Sequence, residues 1–254
     1  MAEGSLGKRA RCRRAERLLI RRRGDLTLSG SRRPGLQDRW KYVFDSLESI
    51  IPIYETGSSR ISMFDDARMR AEAVAFAVRE GELVLDLGSG PGTMASVVSR
   101  AGGIPVMLDA SRRMLLAAEG ENKVQAVFEH LPFRDGAFGS AVAGFSLRDS
   151  RDLVSALGEV RRSLRPGGRF AFCDLGRSDS FGRAVALGLY MYAAVPFIGA
   201  LTGGRAGLGF GSLFDTYVLT LKNGALSALL AAYFSRVDLR ARNLGGSIVV
   251  SCVA

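Results

Sequence analysis

At 254 residues, with 47% hydrophobic side chains and 31 glycines, the chain has room for one α/β domain plus an appendage and is too apolar for a disordered polymer. A single histidine and three scattered cysteines (Cys12, Cys173, Cys252) argue against a disulfide framework or a metal site and point to a reducing compartment. The net charge of +10 would suggest nucleic-acid binding, but residues 1–41 hold 13 of the 35 Lys and Arg against four of the 25 Asp and Glu, so the rest of the chain is nearly neutral and nucleic acid is not an expected partner.

The first segment, 1–41, reads as a basic arm with few apolar residues, dense in Arg11, Arg13, Arg14, Arg17 and Arg21–Arg23. Like charges repel and bury too little surface to offset ordering entropy, so disorder is expected there. Three readings stand. The favoured one is a solvated tail, including the case of a start codon placed too far upstream. The others are a patch for anionic lipid or RNA, and an Arg-rich transit peptide, against which Glu3 and Glu16 count. No apolar stretch near the start has the pattern of a secretory signal.

Residues 42–254 are expected to form one domain. Trp40 to Phe76 reads as an apolar helical segment, placed as a cap over about 42–78. From about Glu82 short apolar runs alternate with amphipathic stretches, which predicts βαβ units. Strands are predicted at Leu83–Leu87, Ile104–Leu108, Lys123–Phe128, Phe138–Phe145, Arg169–Leu175, Arg236–Arg240 and Ser247–Val253, the last two joined by a turn at Asn243–Gly246. Helices are predicted at Thr93–Ala101, after a Ser111 cap, and at Asp152–Leu164, and Arg165-Pro166-Gly167-Gly168 forces a tight turn into the fifth strand. The pattern is that of a doubly wound, seven-stranded, mostly parallel Rossmann-like sheet with an antiparallel edge. A second helical cap is expected at about 178–233, over the carboxyl ends of the strands where ligands bind.

The chemistry concentrates at Val84-Leu85-Asp86-Leu87-Gly88-Ser89-Gly90-Pro91-Gly92, a strand feeding a glycine turn and a helix N-terminus. Such a turn lets backbone N–H groups approach a ligand closely. A dinucleotide fingerprint needs glycine where Thr93 stands, and a Walker loop needs a Gly-Lys-Ser/Thr ending that is missing. Asp86 lies inside the strand, where a carboxylate calls for a cationic or hydrogen-bonding partner. Asp109, at the end of the second strand, can accept both hydroxyls of a ribose. The bland alternative is an ordinary βα turn beside two exposed aspartates.

The spacing of Asp86, the three glycines and Asp109 resembles that of class I S-adenosylmethionine methyltransferases. Over about Val43 to Val253 the chain is similar to the UbiE/MenG-type C-methyltransferases of ubiquinone and menaquinone biosynthesis. The similarity rests on Val43-Phe44-Asp45-Ser46, on Ile51 to Tyr54, on Leu131-Pro132-Phe133 with Asp135 and Phe138, and on Phe145-Ser146-Leu147-Arg148-Asp149. It extends to Leu164–Arg169, to Val195-Pro196-Phe197-Ile198-Gly199, and to the closing Phe234–Val237 and Asn243–Val249. The family differs at Val127, where a polar residue is usual, at Gly139 and Asp149, which stand for Asp and Asn, and at Glu55, which stands for Asp.

This resemblance implies S-adenosylmethionine as methyl donor and no metal. Its binding residues would be Asp86, Gly88, Ser89, Gly90, Pro91 and Gly92 in the loop, and Asp109 and Ala110 after the second strand. Val127 and Phe128 would lie at the adenine, and Gly144 and Phe145 at the end of the fourth strand. It also implies Arg148 as the group that stabilises charge on a phenolic oxygen, with Asp149 and Tyr54 positioning the ring or a water. A surface salt bridge is the competing reading of Arg148. His130 reads as a surface or packing residue on the adenine side. A sulfonium methyl is already activated, and alignment alone supplies on the order of 7–11 kcal/mol in the best intramolecular models, so no histidine base is required.

Ala184–Leu201 carries no charge over its length, and a membrane span is rejected because two strands must still rejoin the sheet; Gly188, Pro196 and Gly199 are also expected to interrupt the helix. It reads either as a buried core helix or as a lid that admits a prenyl tail and touches the bilayer surface. The expected acceptor is a lipophilic small molecule, a demethylmenaquinol-like quinol. The alternatives are another small molecule, lipid or RNA, or S-adenosylmethionine binding without catalysis. The expected location is cytoplasmic, peripheral to the membrane.

Overall fold

The computed structural model describes residues 34–62 and 65–254. Residues 1–33 of the basic arm lie outside the described residues. Residues 34–41, which the charge pattern groups with the arm, pack on the body. Leu36 is buried, its N–H donates to the Ser150 carbonyl at 2.9 Å, and the Leu153 N–H donates to the Pro34 carbonyl at 2.8 Å.

The chain opens with helices α1 (Trp40–Ser49), α2 (Tyr54–Ile61) and α3 (Asp66–Ala77). It then alternates β1 (Leu83–Leu87), α4 (Thr93–Arg100), β2 (Ile104–Asp109), α5 (Arg112–Ala117), β3 (Lys123–Gln125), β4 (Phe138–Gly144), α6 (Leu153–Ser163) and β5 (Leu164–Leu175). An insertion of α7 (Phe181–Leu189), α8 (Val195–Gly207), α9 (Ser212–Leu219) and α10 (Asn223–Leu230) precedes β6 (Arg236–Arg242) and β7 (Ser247–Val253). The expected seven-stranded doubly wound sheet forms, in the order β3-β2-β1-β4-β5-β7-β6.

The expected antiparallel edge is the β6–β7 pair: β7 runs against both its neighbours and slots between β5 and β6. Two details differ from the sequence expectation. The third strand stops at Gln125, short of Phe128, because the next backbone groups turn toward α6. His130 N–H closes a turn on the Val127 carbonyl, Leu131 N–H goes to the Glu159 carboxylate, and Glu129 accepts the Asp152 N–H at 2.9 Å. The Arg165–Gly168 turn is absorbed into β5: Leu164 pairs with Phe138, and pairing resumes between Arg169 and Ser140.

Strand alternation divides β1 between two cores. Leu85 and Leu87 face α6 and α10, packing with Leu157, Val160 and Leu229. Val84 and Asp86 alternate onto the opposite face, where α3 and α4 supply Met69, Ala73, Val74, Met94 and Val98. Helix α3 therefore belongs to the sheet rather than to the cap expected over 42–78. The cap proper is α1, α2 and α7–α9, closed by Ile50, Ile61, Met191, Val195, Phe210 and Tyr217.

The run Phe181–Leu219 is long and apolar enough to cross a membrane, yet only 17% of its most apolar window is buried. It is not a core helix, and β6 and β7 follow it into the sheet. Gly188, Pro196 and Gly199 do not break it. The run stays helical through a widened turn at Tyr190–Ala194, directly before Pro196, and that widening takes up the N–H that the proline lacks. The break comes at Gly203 and Gly204, whose φ values are −138° and 57°. Past it the chain doubles back so tightly that a Cβ on Gly199 would lie 2.2 Å from the Gly207 carbonyl oxygen.

Candidate active site

The loop after β1 is built for close approach. Gly88 (φ 64°) and Gly90 (φ 55°) hold left-handed conformations that other residues rarely adopt. A Cβ on Gly88 would stand 2.5 Å from the Ser146 Cβ and 2.8 Å from the Phe128 ring. The loop is moored to β2 by the Gly88 and Ser89 N–H groups, both donating to the Leu108 carbonyl. Asp109 fastens its outer side: one carboxylate oxygen accepts the Gly90 N–H at 2.9 Å and the other the Ser111 N–H at 2.8 Å. Each oxygen keeps a lone pair for a further donor. Burial raises the Asp109 pKa, and these bonds only partly oppose it.

A pocket opens above this floor, lined by Gly88, Gly90, Asp109, Ala110, Val127, Phe128, Phe145 and Asp149 among the expected residues. Its roof is α1, through Trp40, Val43, Phe44 and Leu47, with Met114 opposite. Trp40 stacks on Phe44 at 4.9 Å and carries the Arg151 guanidinium 4.6 Å above its ring. Glu48 pins the roof to the floor by accepting the Ser111 hydroxyl. These wall residues were missed as ligand contacts. Their spacing marks an amphipathic helix, but not what its apolar face covers.

Asp86, Ser89, Pro91, Gly92 and Gly144 do not line this pocket. Asp86 lies beneath the loop, wholly buried, with neither oxygen at full hydrogen-bond geometry. Burial lifts its pKa to about 7 against the pull of Arg70, with Asp109 adding to the rise. Pro91 and Gly92 face an outer groove with Ile51 and Glu55. Gly144 marks where Arg70 arrives. The guanidinium donates to its carbonyl at 3.3 Å, lies 5.0 Å from the Phe145 ring centre, and leaves no room for a side chain. His130 is exposed, as expected.

Behind the pocket lies a second cavity of about 530 Å³, lined mainly by apolar groups, among them Leu47 of α1, Ile61 of α2, Met69 of α3 and Leu187 of α7, with Ile50, Met191 and Phe210 from the turns between cap helices. The two spaces share Leu47, Tyr54 and Phe145 as a partition. Phe145 adopts φ 61°, unusual for a bulky residue, and its N–H donates to the Cys173 carbonyl at 2.7 Å. The turn it opens carries Arg148 into the apolar cavity and Asp149 into the pocket.

Arg148 is no surface salt bridge. Its side chain is 6% exposed; Nη1 donates to Asp174 at 2.5 Å and to the Phe145 carbonyl at 2.6 Å, while its backbone N–H bonds the other Asp174 oxygen at 3.0 Å. Although burial opposes it, Asp149 and Asp174 hold the guanidinium charged. Asp149 receives only a 3.5 Å contact from Arg148 Nε, and its Oδ1 has no hydrogen-bond partner. Burial lifts the Asp149 pKa to about 7, with Arg148 opposing and Asp174 and Asp109 reinforcing. Burial likewise raises Tyr54, against Arg70 and Arg148. Asp174 escapes sequence reasoning because it lies within an apolar strand whose pattern says only that it is buried, and Arg70 because it stands between Arg68 and Glu72 in a charged helical stretch where nothing local marks it as the residue that turns inward.

A floor free of side chains, a carboxylate at the tip of β2 and an apolar slot fit the amino-acid, ribose and adenine parts of S-adenosylmethionine. Among the described residues no cluster of three metal-ligating side chains occurs.

Comparison with known proteins agrees. The general methyltransferase-domain family matches residues 85–172. A demethylmenaquinone methyltransferase of Thermus thermophilus is 32% identical over 169 residues, covering 62% of this chain and 77% of that protein. One from Mycobacterium marinum is 30% identical over 216 residues, covering 82% and 90%. In fold, the chain superposes on a SAM-dependent methyltransferase from Thermotoga maritima with a TM-score of 0.58 at 18% identity, covering 83% of this chain and 99% of that one. The chain belongs to the UbiE/MenG-type, demethylmenaquinone methyltransferase family and is an S-adenosylmethionine-dependent methyltransferase.

Proposed function

We propose that the enzyme methylates a ring carbon of a small lipophilic acceptor, a demethylated quinol of the demethylmenaquinol kind, at the cytoplasmic face of a membrane. One observation carries this reading. The donor pocket meets a large apolar cavity at a partition of Leu47, Tyr54 and Phe145, and the polar groups at that junction are Arg148, Asp149 and Tyr54. An aromatic ring bearing a greasy tail matches such a cavity, and relatives named demethylmenaquinone methyltransferase support the match.

The bound donor supplies an electrophilic methyl on a sulfonium. The chain aligns the ring carbon behind that methyl, excludes water with the cap, and stabilises charge on the ring oxygen. Arg148 serves the last role, because its charge is fixed by Asp174 before the acceptor arrives and needs no reorganisation. In this reading Gly88, Gly90 and Asp109 hold the donor's tail and ribose, and Tyr54 orients the acceptor ring.

The outer face of the cap supports delivery from a bilayer. Phe181, Leu189, Phe197 and Leu201 are 81%, 63%, 65% and 70% exposed, and the helical run bearing them has exposed Arg183 at one end and Arg205 at the other, with no acid between. An apolar stripe with cationic ends suits an anionic lipid surface. Lipid extracts from cells lacking the gene test the acceptor: an under-methylated quinone should accumulate, and an unchanged quinone pool would contradict the proposal.

A further inference from the structure

At the junction two buried carboxylates compete for one buried guanidinium, and the contest is unequal. Asp174 takes Arg148 Nη1 and the Arg148 backbone N–H, and also accepts the Leu175 N–H at 2.8 Å. Asp149 is left at 3.5 Å from Nε, outside hydrogen-bond geometry, with Oδ1 unpartnered and the side chain 14% exposed. It lines the pocket wall beside Tyr54 and Phe145, where the donor's reactive end must meet the acceptor. A buried carboxylate without a donor of its own is poised to take a proton rather than to bind an anion.

From this juxtaposition, and resting on the quinol reading, we infer that Asp149 is the general base that removes the ring-hydroxyl proton of the acceptor as the methyl is transferred. The O–H bond breaks, with its proton passing to the Asp149 carboxylate and its electron pair forming a ring ketone. The ring carbon's electrons form the new C–CH3 bond, and the pair of the broken methyl–sulfur bond stays on sulfur. Loss of the ring C–H proton to solvent then leaves a phenolate, which takes back the proton held by Asp149; the hydroxyl is restored, and each turnover releases one proton, matching the sulfonium charge lost. Arg148 and Asp149 divide the work: Arg148 steadies the oxygen, and Asp149 takes its proton.

The groups that set the titration of Asp149 come from several elements. They are Arg148 on its own turn, Asp174 on β5, Asp109 on β2 and Tyr54 on α2, with Glu48 of α1 and Glu129 also on the pocket wall. Their balance leaves the carboxyl half-titrated near neutrality, the range in which a base both accepts and releases protons readily.

The test uses the full chain, S-adenosylmethionine and short-chain demethylated naphthoquinols whose hydroxyls differ in acidity. In the unaltered enzyme the rising limb of kcat against pH should keep its midpoint across the series. A midpoint that follows the acidity of the acceptor overturns the inference. Asp149→Asn should lower kcat about a hundredfold at neutral pH, regain rate as alkaline pH ionises the quinol, and leave the calorimetric affinity for S-adenosylhomocysteine unchanged. An unaltered pH profile, or a loss confined to donor affinity, overturns it as well. Donor binding without turnover by the unaltered enzyme on any quinol overturns the acceptor reading and the inference with it.

Discussion

Arg148 is where a single side chain decides most. Removing it should abolish stabilisation of the ring oxygen and cost on the order of 10²–10³ in kcat, the usual worth of one preorganised charge donor. Arg148→Ala would also strand Asp174 as an uncompensated buried charge, a loss on the order of 3–5 kcal/mol in stability. Arg148→Lys separates the two effects. It keeps the charge but not the forked geometry, so it should restore most of the melting temperature and little of the rate; equal recovery of both would show that the arginine is structural.

Asp86 predicts a pH effect with a defined sign. Its folded-state pKa of about 7 lies above its ordinary 3.8, so the folded chain keeps a proton that the unfolded chain gives up. The associated stability is complete below the lower value and drains away as pH rises to the upper one, to a total on the order of 4 kcal/mol. Asp86→Asn removes the dependence. Its melting temperature should gain on the parent's between about pH 4 and about pH 7, and parallel curves would contradict the assignment. The position of Asp86 was legible from its place in a short apolar strand. Arg70, which arrives from α3 across the chain, was not, because only tertiary packing brings the two together.

Among elements, β1, the glycine loop and β2 could be read directly, since their signals are local: a short strand apolar but for Asp86, glycines at forced φ, a carboxylate at a strand tip. The end of β3 was misjudged because Val127 and Phe128 look like strand residues, while the groups that end the strand, Glu129, Asp152 and Glu159, act from a distance. The insertion resisted for another reason. Glycine and proline propensities predict interruptions at Gly188, Pro196 and Gly199, yet the helix passes through them, and its break falls at Gly203 and Gly204, whose backbone angles fold the chain back so that Gly207 meets Gly199. The exposed stripe of α7 and α8 yields its own prediction. Phe197→Glu with Leu201→Glu should leave folding and donor affinity intact, because both side chains face outward, and should weaken co-sedimentation with anionic liposomes tenfold or more, on the order of the apolar area withdrawn. Undiminished co-sedimentation would show that another face makes the contact.

At the scale of the molecule, a near-neutral α/β body orders its strands so that β1 and β4 lie side by side at the centre, and the ligand spaces open at their carboxyl ends. Alternating hydrophobicity foretold this arrangement; the place of β7 inside the sheet it could not foretell, because a strand buried on both faces looks alike in either position. The cap turns a common nucleoside-binding sheet into a chamber with two compartments, one polar at its floor and one greasy, joined at a buried guanidinium. The proposed chemistry depends on that junction. Its most direct test is transfer of a labelled methyl group from S-adenosylmethionine to a reduced demethylmenaquinone by the purified chain. The account predicts label on the quinone ring with one S-adenosylhomocysteine released per methyl, and none with the oxidised quinone, which lacks the hydroxyl and the electron-rich carbon. Tight donor binding with no label in the reduced acceptor would contradict it.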